Sequence, residues 1–150
     1  MGLQVGDKIP EFSLTNQDGE VFNVADFIGV KPLVIYFYPK DNTPGCTAEA
    51  CSFRDAYEEF TALGAEVIGI SADSEKSHQK FATKLKLPFT LLADTQKKVR
   101  KQFKVQNTLF NLLPGRETYV VNKEGEIVMV FNSAGASQHI KRALKAVKNL

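Results

Sequence analysis

The feature that most constrains the fold is a run of six apolar or aromatic residues at positions 33–38, Leu-Val-Ile-Tyr-Phe-Tyr. Successive side chains of a strand point to opposite faces, so a strand that is apolar throughout must be covered on both sides. The run is too short to cross a bilayer as a helix, which needs about 20 residues. It therefore predicts a central strand in a sheet with helices on both faces, and we expect no membrane association.

Strand-like and helix-like segments alternate around this run. The Asp18-Gly19 turn between residues 12–14 and Val21–Asn23 predicts an opening hairpin. Further strands are predicted at 33–38, 67–71, 89–93, 118–122 and 127–131, and helices at 46–63, Glu75–Leu85, after Thr95 and at 137–147. Ser74 and Thr95 are expected to cap helices, and Gly64 to end the first one.

This order predicts the fold class. Parallel strands need crossover connections, so the alternating middle predicts parallel pairing, whereas the last two strands predict an antiparallel hairpin. The expected architecture is α/β, with a central mixed sheet flanked by helices and an N-terminal hairpin. Its layout is that of a thioredoxin-like fold, although periodicity alone does not distinguish it from other α/β sandwiches. At 150 residues the chain is expected to be one domain, 1–150.

Charge and cysteine content argue against several classes of function. With 19 basic and 17 acidic residues, the net charge of +2 is too small for a nucleic-acid binder. The basic stretch 97–104 carries Val99 and Phe103 four residues apart, which predicts the solvent face of an amphipathic helix. Two cysteines and two distant histidines lack the spacing of a structural zinc site, so no metal is expected. His78 and His139 are expected to have surface or capping roles.

The chemistry is expected in residues 39–51, PKDNTPGCTAEAC, which follow the apolar strand and open a helix. Open α/β sheets bind ligands at that end of their strands. Cys46 would lie in the first helical turn, where unpaired N–H groups favour the reactive thiolate. A small buried structural cysteine is the alternative. A hydrolase dyad of Cys46 and His139 would lack an orienting residue.

Three motifs resemble those of a known family. Pro39-x-x-x-Thr43-x-x-Cys46 resembles the active-site motif of peroxiredoxins, and Cys51 resembles the resolving cysteine of their Q type, also called the bacterioferritin comigratory protein type. Segment 113–120, LPGRETYV, is similar to the segment that carries the family's active-site arginine, here Arg116. Segment 6–14, GDKIPEFSL, also fits, and the resemblance spans about residues 3–148.

The resemblance implies a thiol-dependent peroxidase that reduces hydrogen peroxide and organic hydroperoxides without a cofactor. It implies that Cys46 becomes a sulfenic acid and then forms a disulfide with Cys51, which a thioredoxin-like dithiol protein reduces. Thr43 and Arg116 would contact the peroxide and Pro39 would shield the pocket. We expect a monomer in the reducing cytosol, or in a plastid if a transit peptide was removed. The alternative function is a non-catalytic binding or redox-sensing domain.

Two further expectations concern the first helix. Glu49 is expected to favour the helix dipole as a first-turn carboxylate rather than to orient Arg116. If residues 46–51 are helical, the Cα atoms of the two cysteines lie roughly 8.7 Å apart. A disulfide needs about 7 Å or less. The first turns must then open in every cycle, and residues 47–53 are expected to lose amide-exchange protection on oxidation.

Overall fold

A mixed seven-stranded sheet lies at the centre of the computed structural model, which describes residues 3–105, 107–108, 113–114, 116–132 and 137–150. The strands are β1 (Ser13–Asn16), β2 (Val21–Asn23), β3 (Leu33–Phe37), β4 (Glu66–Ser71), β5 (Thr90–Ala93), β6 (Asn107–Thr108), β7 (Leu113–Pro114), β8 (Glu117–Val121) and β9 (Ile127–Asn132). The helices are α1 (Pro44–Ala62), α2 (Glu75–Leu85), α3 (Lys98–Gln102) and α4 (Ser137–Lys148), with a short 3-10 helix at Val24–Asp26.

The strand order in the sheet is β2-β1-β5-β4-β3-β8-β9, and β6 pairs with β7 in a separate ribbon. β3, β4 and β5 are parallel, while β1 pairs antiparallel with both β2 and β5. β8 is antiparallel to β3 and to β9. The predicted mixed sheet with an opening and a closing hairpin is therefore confirmed. Residue 115, within the segment expected to carry the arginine, lies outside the described residues.

Helices cover both faces of the sheet, as the apolar run predicts. Val34, Tyr36 and Tyr38 pack on one face in a cluster with residues of α1, α2 and α4. The side chains of Leu33, Ile35 and Phe37 point to the other face, where α3 and the N-terminal segment cover them. The central strand thus places its C-terminal end between two packed layers, at the start of α1.

Local signals explain the start of α2 and the end of α1. Ser74 caps α2 as predicted, since its hydroxyl accepts a hydrogen bond from the Ser77 N–H at 3.1 Å. Gly64 follows the end of α1 in a left-handed conformation, φ +84°, which glycine adopts without a steric penalty.

The expectations for α3 are partly wrong. The buried Asp94, rather than Thr95, accepts hydrogen bonds from the N–H groups of Val99 and Arg100, at 3.1 and 2.9 Å. Both residues have capping side chains, and the turn after β5 brings Asp94 under the helix. Arg100 is itself buried, so the basic stretch is not wholly a solvent face. Among the helices in the described ranges, none is long and apolar enough to cross a membrane.

Candidate active site

Cys46 lies in the first turn of α1, close to the C-terminal end of β3. Thr43 is the N-cap residue, Pro44 follows it, and the first helical hydrogen bond runs from the Thr47 N–H to the Thr43 carbonyl at 2.8 Å. Proline suits this position because its missing N–H would have no partner there. The first-turn N–H groups favour an anionic sulfur. The Cys46 side chain is almost fully buried, with 1% of the residue exposed.

Strand pairing brings Arg116 to this sulfur from a distant part of the sequence. Phe37, the last residue of β3, pairs with Glu117, the first residue of β8, so Arg116 lies beside the loop that leads into α1. Its Nη2 donates to Cys46 Sγ at 3.6 Å. Burial alone would lower the pKa of Arg116, but the negative charges of Glu49 and Cys46 outweigh burial and raise it. A permanent cation therefore lies against the sulfur.

Glu49 holds the guanidinium in place, which corrects our expectation of a first-turn dipole role. The helix begins at Pro44, so Glu49 lies in the second turn, fully buried, and its Oε1 accepts a hydrogen bond from Arg116 Nη1. Burial raises the pKa of Glu49 to about 7, although the neighbouring Arg116 opposes this shift. Sequence reasoning favoured the wrong role because a single carboxylate on a helix carries no signal of its distant partner.

The two histidines are buried, so the expected surface roles are wrong. His139 has no exposed surface; its Nδ1 lies 2.7 Å from the Thr118 hydroxyl and 3.7 Å from Glu49 Oε2. His78 is also fully buried and bonds Asp41 in the loop before α1. Each histidine sits on a helix and meets a polar group from another element. Only the tertiary structure brings these groups together.

The structure places the other predicted site residues around the same turn. The half-buried Thr43 donates its hydroxyl hydrogen to the Lys40 carbonyl at 2.8 Å, and its oxygen can still accept a hydrogen bond. Pro39 is half-buried in the same loop. Cys51 is a free, half-buried thiol on α1, and the helix runs without a break from Cys46 to Cys51.

Gly45 is a site residue that the sequence analysis did not single out. It is helical, and its φ lies outside the left-handed region, so no backbone strain requires glycine. A Cβ added there would lie 2.9 Å from Arg116 Nη2. The sequence did offer a signal, a glycine directly before the reactive cysteine. Only a residue without a side chain lets the Arg116 guanidinium come this close to the backbone of the first turn.

Within the described ranges, one group of side chains has the ligand types and spacing of a metal site. The ligand atoms of Asp41, Asp73 and His78 lie within 4.8 Å of one another. These atoms already make hydrogen bonds: Asp41 Oδ2 bonds Ser77 and His78, and Asp73 Oδ2 accepts from Ser71 and from the Asp41 N–H. A cation would have to displace hydrogens from this network, so the group fits a hydrogen-bonded cluster better than a metal centre.

Comparisons with known proteins agree with this geometry. Residues 5–130 match the AhpC/TSA family. The chain is 51% identical to chloroplastic peroxiredoxin Q from Sedum lineare over 146 residues, which cover 97% of this chain and 78% of that protein.

Solved structures agree as well. Peroxidoxin BcpB from Mycobacterium tuberculosis is 33% identical, with a TM-score of 0.91 and coverage of 99% of this chain and 98% of the other. The bacterioferritin comigratory protein of Xanthomonas campestris, studied for alkyl peroxide reduction, is 30% identical with a TM-score of 0.86, covering 95% and 98% of the two chains. The predicted thioredoxin-like fold is thereby confirmed. The chain belongs to the AhpC/TSA family, in its peroxiredoxin Q group, and is a thiol peroxidase.

Proposed function

We propose that Cys46 is the nucleophile of this peroxidase and Arg116 its main electrostatic partner. The observation that carries the assignment is the 3.6 Å contact between Arg116 Nη2 and the sulfur of the buried Cys46, in the first turn of α1. A fixed positive charge beside the sulfur stabilises the thiolate. It also lies where negative charge develops on the departing oxygen of a peroxide.

In the first step, the thiolate of Cys46 attacks one oxygen of the peroxide. An S–O bond forms and the O–O bond breaks; the sulfur is oxidised to sulfenic acid, and the other oxygen leaves as water or an alcohol after taking a proton. Thr43, with its own hydrogen donated to Lys40, can accept the hydrogen bond of the peroxide O–H. Pro39 contributes no N–H and restricts the loop beside this pocket.

In the second step, the thiol of Cys51 attacks the sulfenic acid. A disulfide forms, water leaves, and an external dithiol then reduces the disulfide by exchange. Cys51 is the one other cysteine among these 150 residues and is therefore the proposed partner. The three steps together turn one hydroperoxide and one dithiol into an alcohol or water, a second water and a disulfide.

Cysteine variants test the two roles. Cys46→Ser should abolish peroxide reduction, whereas Cys51→Ser should keep one fast turnover and stop at the sulfenic acid. Rapid mixing with one equivalent of hydrogen peroxide, followed by mass spectrometry and thiol counting, separates these outcomes. Equal bursts in both variants would reverse or void the assignment.

Arginine variants test the electrostatic role. Arg116→Ala should slow peroxide attack by on the order of 100-fold, since a transition-state donor is lost. Arg54→Ala removes an arginine from α1 whose side chain bonds Asp55 and Leu85 instead, and serves as the matched control. A rate for Arg116→Ala that equals the control rate would contradict the role.

The proposal extends to the substrates and the electron donor. We propose hydrogen peroxide and small alkyl hydroperoxides as substrates; the alkyl peroxide reduction described for the Xanthomonas campestris relative supports the second class. A thioredoxin-like protein is the proposed donor. Turnover with dithiothreitol but none with NADPH, thioredoxin reductase and thioredoxin would refute this donor while leaving the peroxidase intact.

We further propose that residues 1–150 act as one catalytic domain and that the protein is a monomer. Light scattering during size-exclusion chromatography tests the second point. The chloroplastic relatives favour the plastid over the cytosol as the compartment. Immunolocalisation in the source cells tests the compartment.

A further inference from the structure

Asp41 connects the loop between β3 and α1 to the surrounding structure. Its Oδ1 accepts a hydrogen bond from Tyr38 at 2.6 Å, and its Oδ2 accepts one from Ser77 at 2.8 Å. The N–H of Asp41 donates to Asp73 Oδ2 at 2.8 Å. Asp41 is 4% exposed. These bonds fix the loop to the end of β3, to the turn after β4 and to α2.

His78 on α2 links Asp41 to β5. Its Nε2 lies 2.9 Å from the Leu92 carbonyl oxygen on β5, and its Nδ1 lies 2.7 Å from Asp41 Oδ2. The carbonyl can only accept, so Nε2 carries a hydrogen. Burial alone would raise the pKa of Asp41, but the hydrogen bonds from His78, Tyr38 and Ser77 outweigh it and lower that pKa. The carboxylate of Asp41 is therefore ionised and accepts these hydrogen bonds.

The side chains of His78 and Asp41 are 0% and 1% exposed. Because one ring nitrogen of His78 is held at β5 and the other at Asp41 Oδ2, the ring sets the distance between Asp41 and the sheet. Asp41 precedes Thr43 by two residues and Cys46 by five, so the segment that His78 holds leads directly into the first turn of α1.

We propose that His78 is a positioning residue for peroxide reduction: through Asp41 it fixes the loop that places Thr43 and the first-turn amides around Cys46. The inference rests on the proposed roles of Cys46 and Thr43. Displacement of reacting groups by about 1 Å can lower a rate on the order of 100-fold. Loss of the Asp41 contact should therefore slow the attack on peroxide. It should leave reduction of the finished disulfide unchanged, because that step does not use the peroxide pocket.

Two substitutions of His78 separate positioning from mere packing. In His78→Asn the amide nitrogen takes the place of Nδ1 and still donates to Asp41. In His78→Gln it takes the place of Nε2, donates to Leu92 and leaves Asp41 without this partner. We expect the Gln variant to react with hydrogen peroxide about 10- to 100-fold more slowly than the parent. We expect the Asn variant to recover most of that loss, and the exposed neighbour Gln79→Ala to match the parent.

The measurement is rapid mixing of reduced protein with peroxide, with dithiothreitol reduction of the preformed disulfide timed separately. A slow peroxide step with an unchanged reduction step supports the inference. A parental peroxide rate in His78→Gln overturns it, as does an equal loss in the Asn and Gln variants. If His78→Gln does not fold, Asp41→Asn replaces it: a slow peroxide step again supports the inference, and a parental rate overturns it.

Cys46→Ser, measured in parallel, keeps this outcome separate from that of the proposed function. A stoichiometric peroxide burst in Cys46→Ser refutes the role of Cys46 whatever His78 does. A burst that needs Cys46 but proceeds at the parental rate in His78→Gln refutes only the positioning role.

Discussion

At the scale of single residues, the position of Arg116 beside the first turn of α1 depends on the absence of a side chain at residue 45. Gly45 leaves room for Arg116 Nη2, which a Cβ would meet at 2.9 Å. Glu49 holds the other end of the guanidinium, so the group cannot simply rotate away. The distance between the cation and Cys46 therefore depends on glycine at this position.

A methyl group at residue 45 should disturb catalysis without weakening the fold. We expect Gly45→Ala to slow peroxide attack by roughly 10-fold, since a weakened transition-state donor costs less than a deleted one. Alanine in a helix is favoured over glycine by about 0.5–1 kcal/mol, so the free energy of unfolding should not fall. Stopped-flow rates and urea unfolding give both quantities. Ala48→Gly at an exposed site of α1 is the control with the opposite change in helix propensity. Unchanged peroxide kinetics in Gly45→Ala would contradict the steric argument.

Glu49 should make the stability of the reduced protein depend on pH. Its pKa is raised to about 7 in the folded chain, mainly by burial, and the ordinary value is 4.5. The folded state thus binds a proton more tightly than the unfolded state, so the free energy of unfolding should fall as pH rises from about 4.5 to about 7. Glu49→Gln should remove this fall, which amounts to at most about 3 kcal/mol. Urea unfolding at both ends of the range measures it; equal pH slopes in parent and variant would refute it.

Three residues whose roles sequence reasoning misjudged share one physical property. Glu49, His78 and His139 are polar side chains that are fully buried. A charged or polar group is stable there only with a partner. Those partners come from Arg116, Asp41 and Thr118, on other elements. Neighbouring sequence carries no information about such pairs. Motifs identified the cysteines and Arg116. The short distance between Arg116 and Cys46 became known only from the pairing of β3 with β8.

At the scale of elements, α1 combines two conflicting tasks. Its first turn holds Cys46 against Arg116, while Cys51 lies further along the same unbroken helix. Ideal helical geometry separates the two Cα atoms by roughly 8.7 Å. A disulfide without backbone movement requires a separation of about 7 Å or less. Phe53 anchors the helix just beyond Cys51, since it is fully buried and stacks on Tyr36 with ring centroids 4.5 Å apart. For the proposed disulfide to form, the helix must open on the N-terminal side of this anchor.

Amide exchange should report this opening. In the verified disulfide form, residues 47–53 should lose protection relative to the reduced form, because their helical acceptors are displaced. Amides near Phe60, whose side chain is fully buried at the far end of α1, should keep theirs. Hydrogen–deuterium exchange with peptide mass spectrometry compares the two forms, with Cys51→Ser treated identically as the control that forms no internal disulfide. Equal amide protection of residues 47–53 in both forms would contradict the opening of α1.

Most elements could be predicted because their signals are local. The Asp-Gly turn, the all-apolar β3 and the Ser74 cap each depend on a few neighbouring residues, and each prediction is confirmed. The cap of α3 could not be predicted in the same way. Asp94 and Thr95 are adjacent and both can cap, and the choice depends on how the chain leaves β5.

At the scale of the whole molecule, the sheet separates a fixed part from a moving part. β3 lies between the parallel strand β4 and the antiparallel strand β8 and is buried on both faces. The strand that leads into the site therefore cannot shift easily. Arg116 enters from β8 of the same sheet. In the proposed cycle only the first turns of α1 have to move, and the described strands of the sheet can keep their packing.

The burial of Cys46 has a consequence for how the two substrates share the enzyme. With 1% of Cys46 exposed, its sulfur lies out of reach of a protein-sized reductant until α1 opens. We therefore expect the two substrates to react in turn with different forms of the enzyme. Steady-state kinetics should be ping-pong: double-reciprocal plots at several reductant concentrations should be parallel, and excess reductant should not inhibit competitively against peroxide. Intersecting lines would show that both substrates bind the same form. When peroxide is in excess over reductant, the protein should accumulate in the open, oxidised form. The fraction of open molecules would then follow the ratio of oxidant to reductant in the cell.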